Sequence, residues 1–326
     1  MRMWCRFTLT GPRGDNPLGF LATLGVMVTL KDEGIESKLS WKGLTPILRV
    51  DMPDMAEKSH EGRERELVRI IHSRLKRAKK RGTDVAEDSS LNDLKKKNLT
   101  FSNKEFLDFA EMSFDECRFP ERRLLDLISS FGIMGPKKEG KMAPTPWALL
   151  SGSGHQEFLK TVNDLMLCCE EDDYHRALFG PWEGDREKYS LRLEPAEDRR
   201  YALMDGDPSD SKRRVKTLWG ANRLAFEALR LFPTYSADSA EKREGSLGAV
   251  GWDDELRSVR WPLWRYPIGV EVVKSILCLP AIWKEGDLTE RGRLVEMGIF
   301  SVIQSRKVAE GKYKNMTFGI PLWFDY

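Results

Sequence analysis

The sequence predicts an α+β protein, with mixed helices and short, mostly antiparallel strands around one or two cores. Three observations carry that reading. An apolar segment from Pro17 to Leu30 lies between stretches rich in β-forming residues. A longer segment from Asp54 to about Arg81 has helical periodicity, and the chain closes on two strand candidates joined by a short turn containing Gly. With 326 residues, 40% of them hydrophobic and ten of them Trp, the chain can bury roughly three quarters of its unfolded surface.

In chain order, Trp4 to Thr10 reads as a strand ending at Gly11-Pro12. The segment Pro17–Leu30 is apolar on every side, which predicts a buried helix; Asn16 supplies its cap, Pro17 its first turn, and Gly34 lies just past its end. Short strands are expected at Ser37–Trp41 and Pro46–Val50. In the helix that follows, Leu67, Ile70, Ile71, Leu75 and Ala78 share one arc of a 3.6-residue period. Further helices are expected at Asn103–Phe114, Glu121–Ser130, Gln156–Leu178 and Ala221–Leu231.

The stretch Gly180–Ser211 is dense in Gly, Pro, Asp and Glu and is expected to hold short strands near Ser190–Leu193 and Arg200–Leu203. It marks a candidate boundary between an N-terminal α+β region, 1–180, that contains the basic helix and a C-terminal α+β region, 181–326, that ends in a β-hairpin. A strand at Val259–Trp264 and a helix at Gly269–Leu279 come next. The final strands, Ile299–Val308 and Tyr313–Phe324, are joined by Ala309-Glu310-Gly311-Lys312. Alternation of Met316, Phe318, Ile320 and Leu322 predicts that one face of the last strand enters a core.

Charge names no partner globally, because 53 basic residues nearly balance 51 acidic ones. The longest apolar run is interrupted by Gly19, Thr23 and Gly25 and is too short to span a bilayer, and a signal-peptide reading fails on the acid and turn residues before it. Five cysteines, an odd and sparse set, fit a reducing compartment, so a cytoplasmic location without a membrane partner is expected.

Catalytic signatures fail one by one. His60-Glu61 lacks the second histidine of a zinc-protease motif, Cys168-Cys169 are adjacent, and Ser151-Gly152-Ser153-Gly154-His155 departs from the nucleophile-elbow frame. Those small residues instead lead into the helix at Gln156, whose first N–H groups can face an anion or simply solvent. No G-x-G-x-x-G or phosphate-loop pattern follows the first strand, and neither a cofactor nor a metal is expected. Two carboxylate groups remain as metal-nuclease candidates: Asp205, Asp207 and Asp210 beside Lys212, and Glu183, Asp185 and Glu187 beside Lys188.

Three basic clusters point to nucleic acid. Between Arg63 and Arg81 nine Lys or Arg face two Glu, and Arg65, Arg69, Lys76 and Lys80 fall within roughly 60° of one another opposite the apolar arc. An ordinary solvated helix face gives the same pattern. A second cluster comprises Lys212, Arg213, Arg214 and Lys216, which lead to Trp219 and then to Asn222 and Arg223 in the first turn of a helix, where backbone donors favour an anion. Trp219 is equally a candidate core anchor, and Arg223 a candidate ion pair with Glu227 one turn on. The third cluster, Arg306, Lys307, Lys312 and Lys314, surrounds the last turn, where lysines also protect strand edges. Seven acids against two arginines from Cys169 to Glu187 suggest a separate acidic face.

Several phrases together resemble a known family. Asn16-Pro17-Leu18-Gly19-Phe20-Leu21-Ala22-Thr23-Leu24-Gly25 resembles the N-terminal NPLGFLAALG phrase of proteins encoded in type I-G (formerly I-U) CRISPR loci. Ser153-Gly154-His155-Gln156-Glu157-Phe158-Leu159 is similar to their G-x-Q-x-F-L segment. Glu197-Asp198-Arg199-Arg200-Tyr201-Ala202-Leu203, the turn Asp207-Pro208-Ser209, Gly220-Ala221-Asn222-Arg223-Leu224-Ala225-Phe226-Glu227 and Trp261-Pro262-Leu263-Trp264 follow in the same order. None of these phrases is a catalytic signature. The resemblance implies an effector-complex subunit or an accessory, large-subunit-like component of an RNA-guided antiviral surveillance complex. Its partners would be guide RNA, target DNA, other effector subunits and a helicase-nuclease that does the cutting. The chain is shorter than the larger subunits of such complexes. Two other classes stay open on the residues alone: a metal-dependent nuclease, and a protein-interaction scaffold that binds no nucleic acid.

Overall fold

Asn16 starts a helix that is buried from Pro17 to Leu30. Its side chain accepts a hydrogen bond from the Gly19 amide at 3.1 Å, and Pro17 occupies the first turn. The computed structural model describes residues 4–52, 57–80, 98–115, 122–136, 139–150, 157–184, 186–195, 216–237, 246–283, 288–310 and 313–324. Strand β1, Trp4–Thr8, leads to this helix, α1, Pro17–Asp32, in which every residue from Pro17 to Leu30 is buried. Two threonines are tolerated there because their hydroxyls donate to carbonyls one turn back, Thr23 to Gly19 at 2.8 Å and Thr29 to Gly25 at 2.7 Å. No helix among the described residues is long and apolar enough to cross a membrane.

Strands β2, Ser37–Lys42, and β3, Thr45–Asp51, follow, with Leu39 opposite Leu48 and Trp41 opposite Pro46. Helix α2, His60–Lys80, turns its Leu67, Ile71 and Leu75 inward as the periodicity predicts. Helices α3, Asn103–Asp115, and α4, Arg123–Phe131, come next, then the two-residue strands β4, Gly132–Ile133, and β5, Ala143–Pro144.

The single helix expected from Gln156 to Leu178 is two: α5, Phe158–Cys168, and α6, Glu171–Phe179. Glu170 breaks it. Its side chain and that of Asp173 form a reciprocal cap on the start of α6, with the Glu170 amide donating to Asp173 Oδ2 at 3.0 Å. The strand expected at Ser190–Leu193 is absent, because Tyr189 and Arg192 adopt φ near +62° and +66°. Leu191 and Leu193 are still buried, held through the Leu191 amide on Asn222 Oδ1 at 2.8 Å. The strand expected at Arg200–Leu203 lies outside the described residues.

Helix α7, Trp219–Ala228, packs along α1 and runs into a tight 3₁₀ turn, Leu229–Leu231. Short strands β6, Thr234–Ser236, and β7, Leu247–Ala249, precede β8, Ser258–Trp264, which is buried along its whole length. Then come β9, Ile268–Gly269, α8, Val270–Leu277, α9, Pro280–Trp283, and α10, Leu288–Glu296. The last sheet is built from β10, Ile299–Glu310, β11, Tyr313–Met316, and β12, Ile320–Phe324, with β10 between β8 on one side and β11 and β12 on the other. The fold is α+β, with antiparallel strands in several small sheets.

The two regions on either side of residue 180 are not separate units. Strand β9 completes the N-terminal sheet, in the order β1-β3-β2-β9, by pairing with β2 at Leu39 and Lys38. Trp261 Nε1 donates to the Gly14 carbonyl at 2.7 Å and Trp264 Nε1 to that of Leu39 at 2.6 Å. Phe20 lies stacked between Trp41 and Trp261, with centroids 5.9 and 5.4 Å away, so both sheets and α1 share one core.

A second correction concerns the last strand. Met316 is buried, but Phe318, Ile320 and Leu322 are 58%, 59% and 43% exposed. The alternation is real and its outward face is apolar. Thr317 to Gly319 leave the sheet, with the Gly319 amide donating to the Asp15 carbonyl at 2.8 Å, and the pairing of β10 with β12 slips between Val302 and Ile303. Register, not composition, decides which face is buried.

Candidate nucleic-acid interface

The basic helix comes first. The exposed face of α2 carries Arg65, Arg69 and Lys76 as expected, and each already holds a carboxylate. Arg65 pairs with Glu61 at 2.5 Å, Arg69 with Glu66, and Lys76 with Glu170 at 2.8 Å. The Glu170 carboxyl sits below its usual range chiefly because Lys76 donates to it, and Glu66 does so chiefly through Arg69. The Lys80 side chain lies outside the described residues. Glu170 and Glu171 also face the two ring nitrogens of His72, at 3.4 and 3.3 Å. The start of the acidic segment therefore packs onto the basic helix within the molecule, so the separate acidic face expected there is not formed by these residues.

Asn222 and Arg223 require a correction. Both are fully buried, and neither can reach a phosphate. Asn222 is a hub: its Oδ1 accepts from the Leu191 amide, while Nδ2 donates to Glu194 and Thr217, each at 2.8 Å. Arg223 donates to Glu227 at 2.6 Å, one turn further along the helix, and its guanidinium lies 5.7 Å from the Phe226 ring centroid. Glu227 is itself completely buried and accepts two hydrogen bonds from Arg123, at 3.0 and 2.5 Å. Its carboxyl is held well below the usual range: burial opposes ionisation, but Arg123, Arg223 and Arg230 around it outweigh that cost. Arg230 in turn forks onto Asp32 at 3.1 and 2.8 Å, and Arg74 reaches Asp32 at 3.6 Å.

Of the rest of the second cluster, Lys216 and Trp219 are among the described residues. Lys212, Arg213 and Arg214 lie outside the described residues, and Lys216 is exposed. Residue Thr217 exchanges backbone hydrogen bonds with Arg186, which brings the Lys188 loop alongside. Trp219 is half-buried, its Nε1 donating to the Lys188 carbonyl at 2.8 Å. The Arg186 guanidinium covers the indole at 4.6 Å, and the Tyr189 ring lies 5.4 Å away. Lys188 projects into solvent beside them. The result is an aromatic ledge between two exposed lysines, held by Arg186, whose own carboxylate partner is Asp173 at 3.0 Å.

Comparison with protein-family models, with curated proteins and with solved structures gives no match.

The third cluster is divided between two faces of the last sheet. Lys314 pairs with Ala309, two residues from Lys307, so Lys307 and Lys314 share a face that Arg306 does not. Lys307 lies 5.3 Å from the Trp252 ring, and its ammonium is pushed below the usual lysine range first by burial and then by Lys314. Arg306 is exposed and Lys314 half-buried, while Lys312 is outside the described residues.

Of the nuclease candidates, Asp205, Asp207, Asp210, Lys212 and Asp185 lie outside the described residues, and Glu183 and Glu187 are exposed. No group of three metal-ligating side chains occurs among the described residues. The segment Ser151–His155 is also outside them. The Arg223–Glu227 pair is the ion pair that the sequence offers as an alternative; the rest of the buried cluster around Glu227, from α1, α2, α4 and the turn after α7, carries no shared motif.

Proposed function

We propose that this chain is a non-catalytic, nucleic-acid-binding subunit of an RNA-guided, type I-G-like CRISPR surveillance complex, acting in the cytoplasm. Guide RNA or target DNA backbone lies across the ledge of Trp219 and Tyr189. The observation that carries this reading is that ledge: two rings tilted 43° to each other and flanked by exposed Lys188 and Lys216, with Lys212, Arg213 and Arg214 next in sequence. Ring faces and point charges in this arrangement bind single strands without regard to base, stacking contributing about 1–3 kcal/mol per base. The ordered family-like phrases support the CRISPR assignment, and the other effector subunits and a helicase-nuclease are its protein partners.

The test is fluorescence-anisotropy titration of single-stranded RNA and DNA of unrelated sequences over a range of salt. Changing Lys188 and Lys216 to Ala should weaken both about equally and make the slope of log affinity against log salt shallower by about 1.5. An unchanged affinity and slope would remove the ledge from the assignment. Cleavage of either probe on addition of Mg²⁺ or Mn²⁺ would overturn the non-catalytic part, and a genome lacking a repeat array beside the coding sequence would count against the complex.

A further inference from the structure

Four segments distant in sequence close around one cleft of about 350 Å³. They are the end of α1, the start of α4, the turn after α7 and the start of α8. The floor is formed by Arg123 and Arg230, whose side chains are 6% and 5% exposed and are fixed by Glu227 and Asp32. The rim carries Lys31, paired with Glu271, and Arg122 and Lys274, whose contacts with Asp126 are longer, at 3.6 and 3.9 Å.

Charge bookkeeping over this connected set decides what fits. Three carboxylates face the cleft, and each is already engaged: Asp32 by Arg230 and Arg74, Glu271 by Lys31, and Asp126 at long range by Arg122 at 3.6 Å and Lys274 at 3.9 Å. Behind the floor Glu227 is shared by Arg123 and Arg223, and Glu33 lies 3.7 Å from Arg74. Among the described residues, five cations and three carboxylates line the concave space itself. The backbone adds to it. The first turns of α4 and α8 both line the cleft, and neither Arg122 nor Gly269 at their caps supplies a side-chain hydrogen bond to the helix. Two positive helix ends therefore meet five cleft-lining cations, and each end already carries one first-turn carboxylate, Asp126 or Glu271.

We propose that this cleft is a phosphate site, taking a dianionic phosphate group between the fixed Arg123–Arg230 floor and the movable Arg122 and Lys274. The ligand displaces Asp126 from its two long contacts, and the guanidinium of Arg122 and the ammonium of Lys274 turn to it. The volume admits pyrophosphate or a nucleoside phosphate but not a folded polymer; a nucleic acid enters only by a terminal phosphate. This site is independent of the Trp219 ledge, and neither assignment rests on the other.

The experiment is calorimetric titration of the full chain with inorganic pyrophosphate at low ionic strength. One saturable site is expected. A double variant, Arg122→Glu with Lys274→Glu, lies on the exposed rim and should bind at least tenfold more weakly with unchanged circular dichroism. Asp126→Asn removes the competing carboxylate and should bind several-fold more tightly. Single-stranded RNA with a 5′-phosphate, compared with the same RNA bearing a 5′-hydroxyl and with ADP, identifies the source. A preference for the phosphorylated end that the rim variant loses assigns the site to a nucleic-acid terminus. Equal RNA affinities with tight ADP binding assign it to a free nucleotide. The Lys188→Ala, Lys216→Ala protein should retain pyrophosphate binding, which separates failure of the ledge from failure of the cleft. Absence of saturable binding at millimolar pyrophosphate, or parental affinity in the rim variant, overturns the proposal.

Discussion

Arg123 and Glu227, 104 residues apart in sequence, meet side on in the interior, with Nε and Nη2 of the guanidinium on the two carboxylate oxygens. Such a fork gains geometric precision from two parallel hydrogen bonds. Because Glu227 also neutralises Arg223 and approaches Arg230 at 3.5 Å, one carboxylate ties α4 to both turns of α7 and its extension.

Glu227→Gln keeps the shape and removes the charge. It removes the charge that buried Arg123 and Arg223 share, so a loss of about 3–5 kcal/mol in urea-unfolding free energy is expected. A loss under about 1 kcal/mol would mean that water or other carboxylates carry the cluster.

The same residue sets an acid limit. Its folded-state carboxyl titrates below the unfolded value of ~4.3, so its contribution is fully present above that pH and disappears as pH falls through the lower folded value. Below about pH 4, unfolding free energy should fall with pH more steeply in the parent than in Glu227→Gln, by up to ~1.4 kcal/mol per pH unit. Parallel curves would dissociate Glu227 from acid sensitivity.

Gly25 is where α1 touches α7 most closely: a Cβ there would lie 2.0 Å from the Leu224 carbonyl oxygen. Because the obstacle is backbone inside a helix, it cannot rotate away. Gly25→Ala should cost about 1–3 kcal/mol or prevent soluble expression, whereas a change in helix propensity alone would stabilise by roughly 1 kcal/mol. Differential scanning calorimetry of the variant gives the sign.

Ile320→Thr with Leu322→Thr tests the outward face of β12. Both side chains are exposed, so the urea-unfolding free energy should change by no more than ~0.5 kcal/mol per site while solubility rises. A loss above about 2 kcal/mol would show that this face is covered in solution.

What was legible in the sequence was local. The start of α1 follows from Asn16-Pro17, and the buried arc of α2 from the spacing of Leu67, Ile71 and Leu75, because cap chemistry and helical period act within a few residues. Glu170 defeated the period at the join of α5 and α6, since a reciprocal cap stops one helix and starts another without Gly or Pro. Phe318 to Leu322 kept a strand's alternation, but the face it turns inward depends on pairing with β10. The sequence places Asn222 and Arg223 in a helix's first turn, but the helix starts at Trp219 and the Asn222 amide is already bonded to the Leu218 carbonyl; Glu194 and Glu227 take their side chains out of solvent. Of the ionic cluster only the Arg223–Glu227 pair had a local signature, its spacing of one helical turn; Asp32, Arg74 and Arg123 are brought to it only by the packing of helices.

The burial of α1 has a consequence for synthesis. Its principal cover, α7, begins at Trp219, about 190 residues after Leu30. At roughly 5–20 residues per second, a ribosome needs about 10–40 s to deliver it. During that interval the most apolar helix of the nascent chain has β2 and α2 but lacks its principal partner, and any product truncated before Trp219 keeps the face that α7 covers open to chaperones, proteases and other chains.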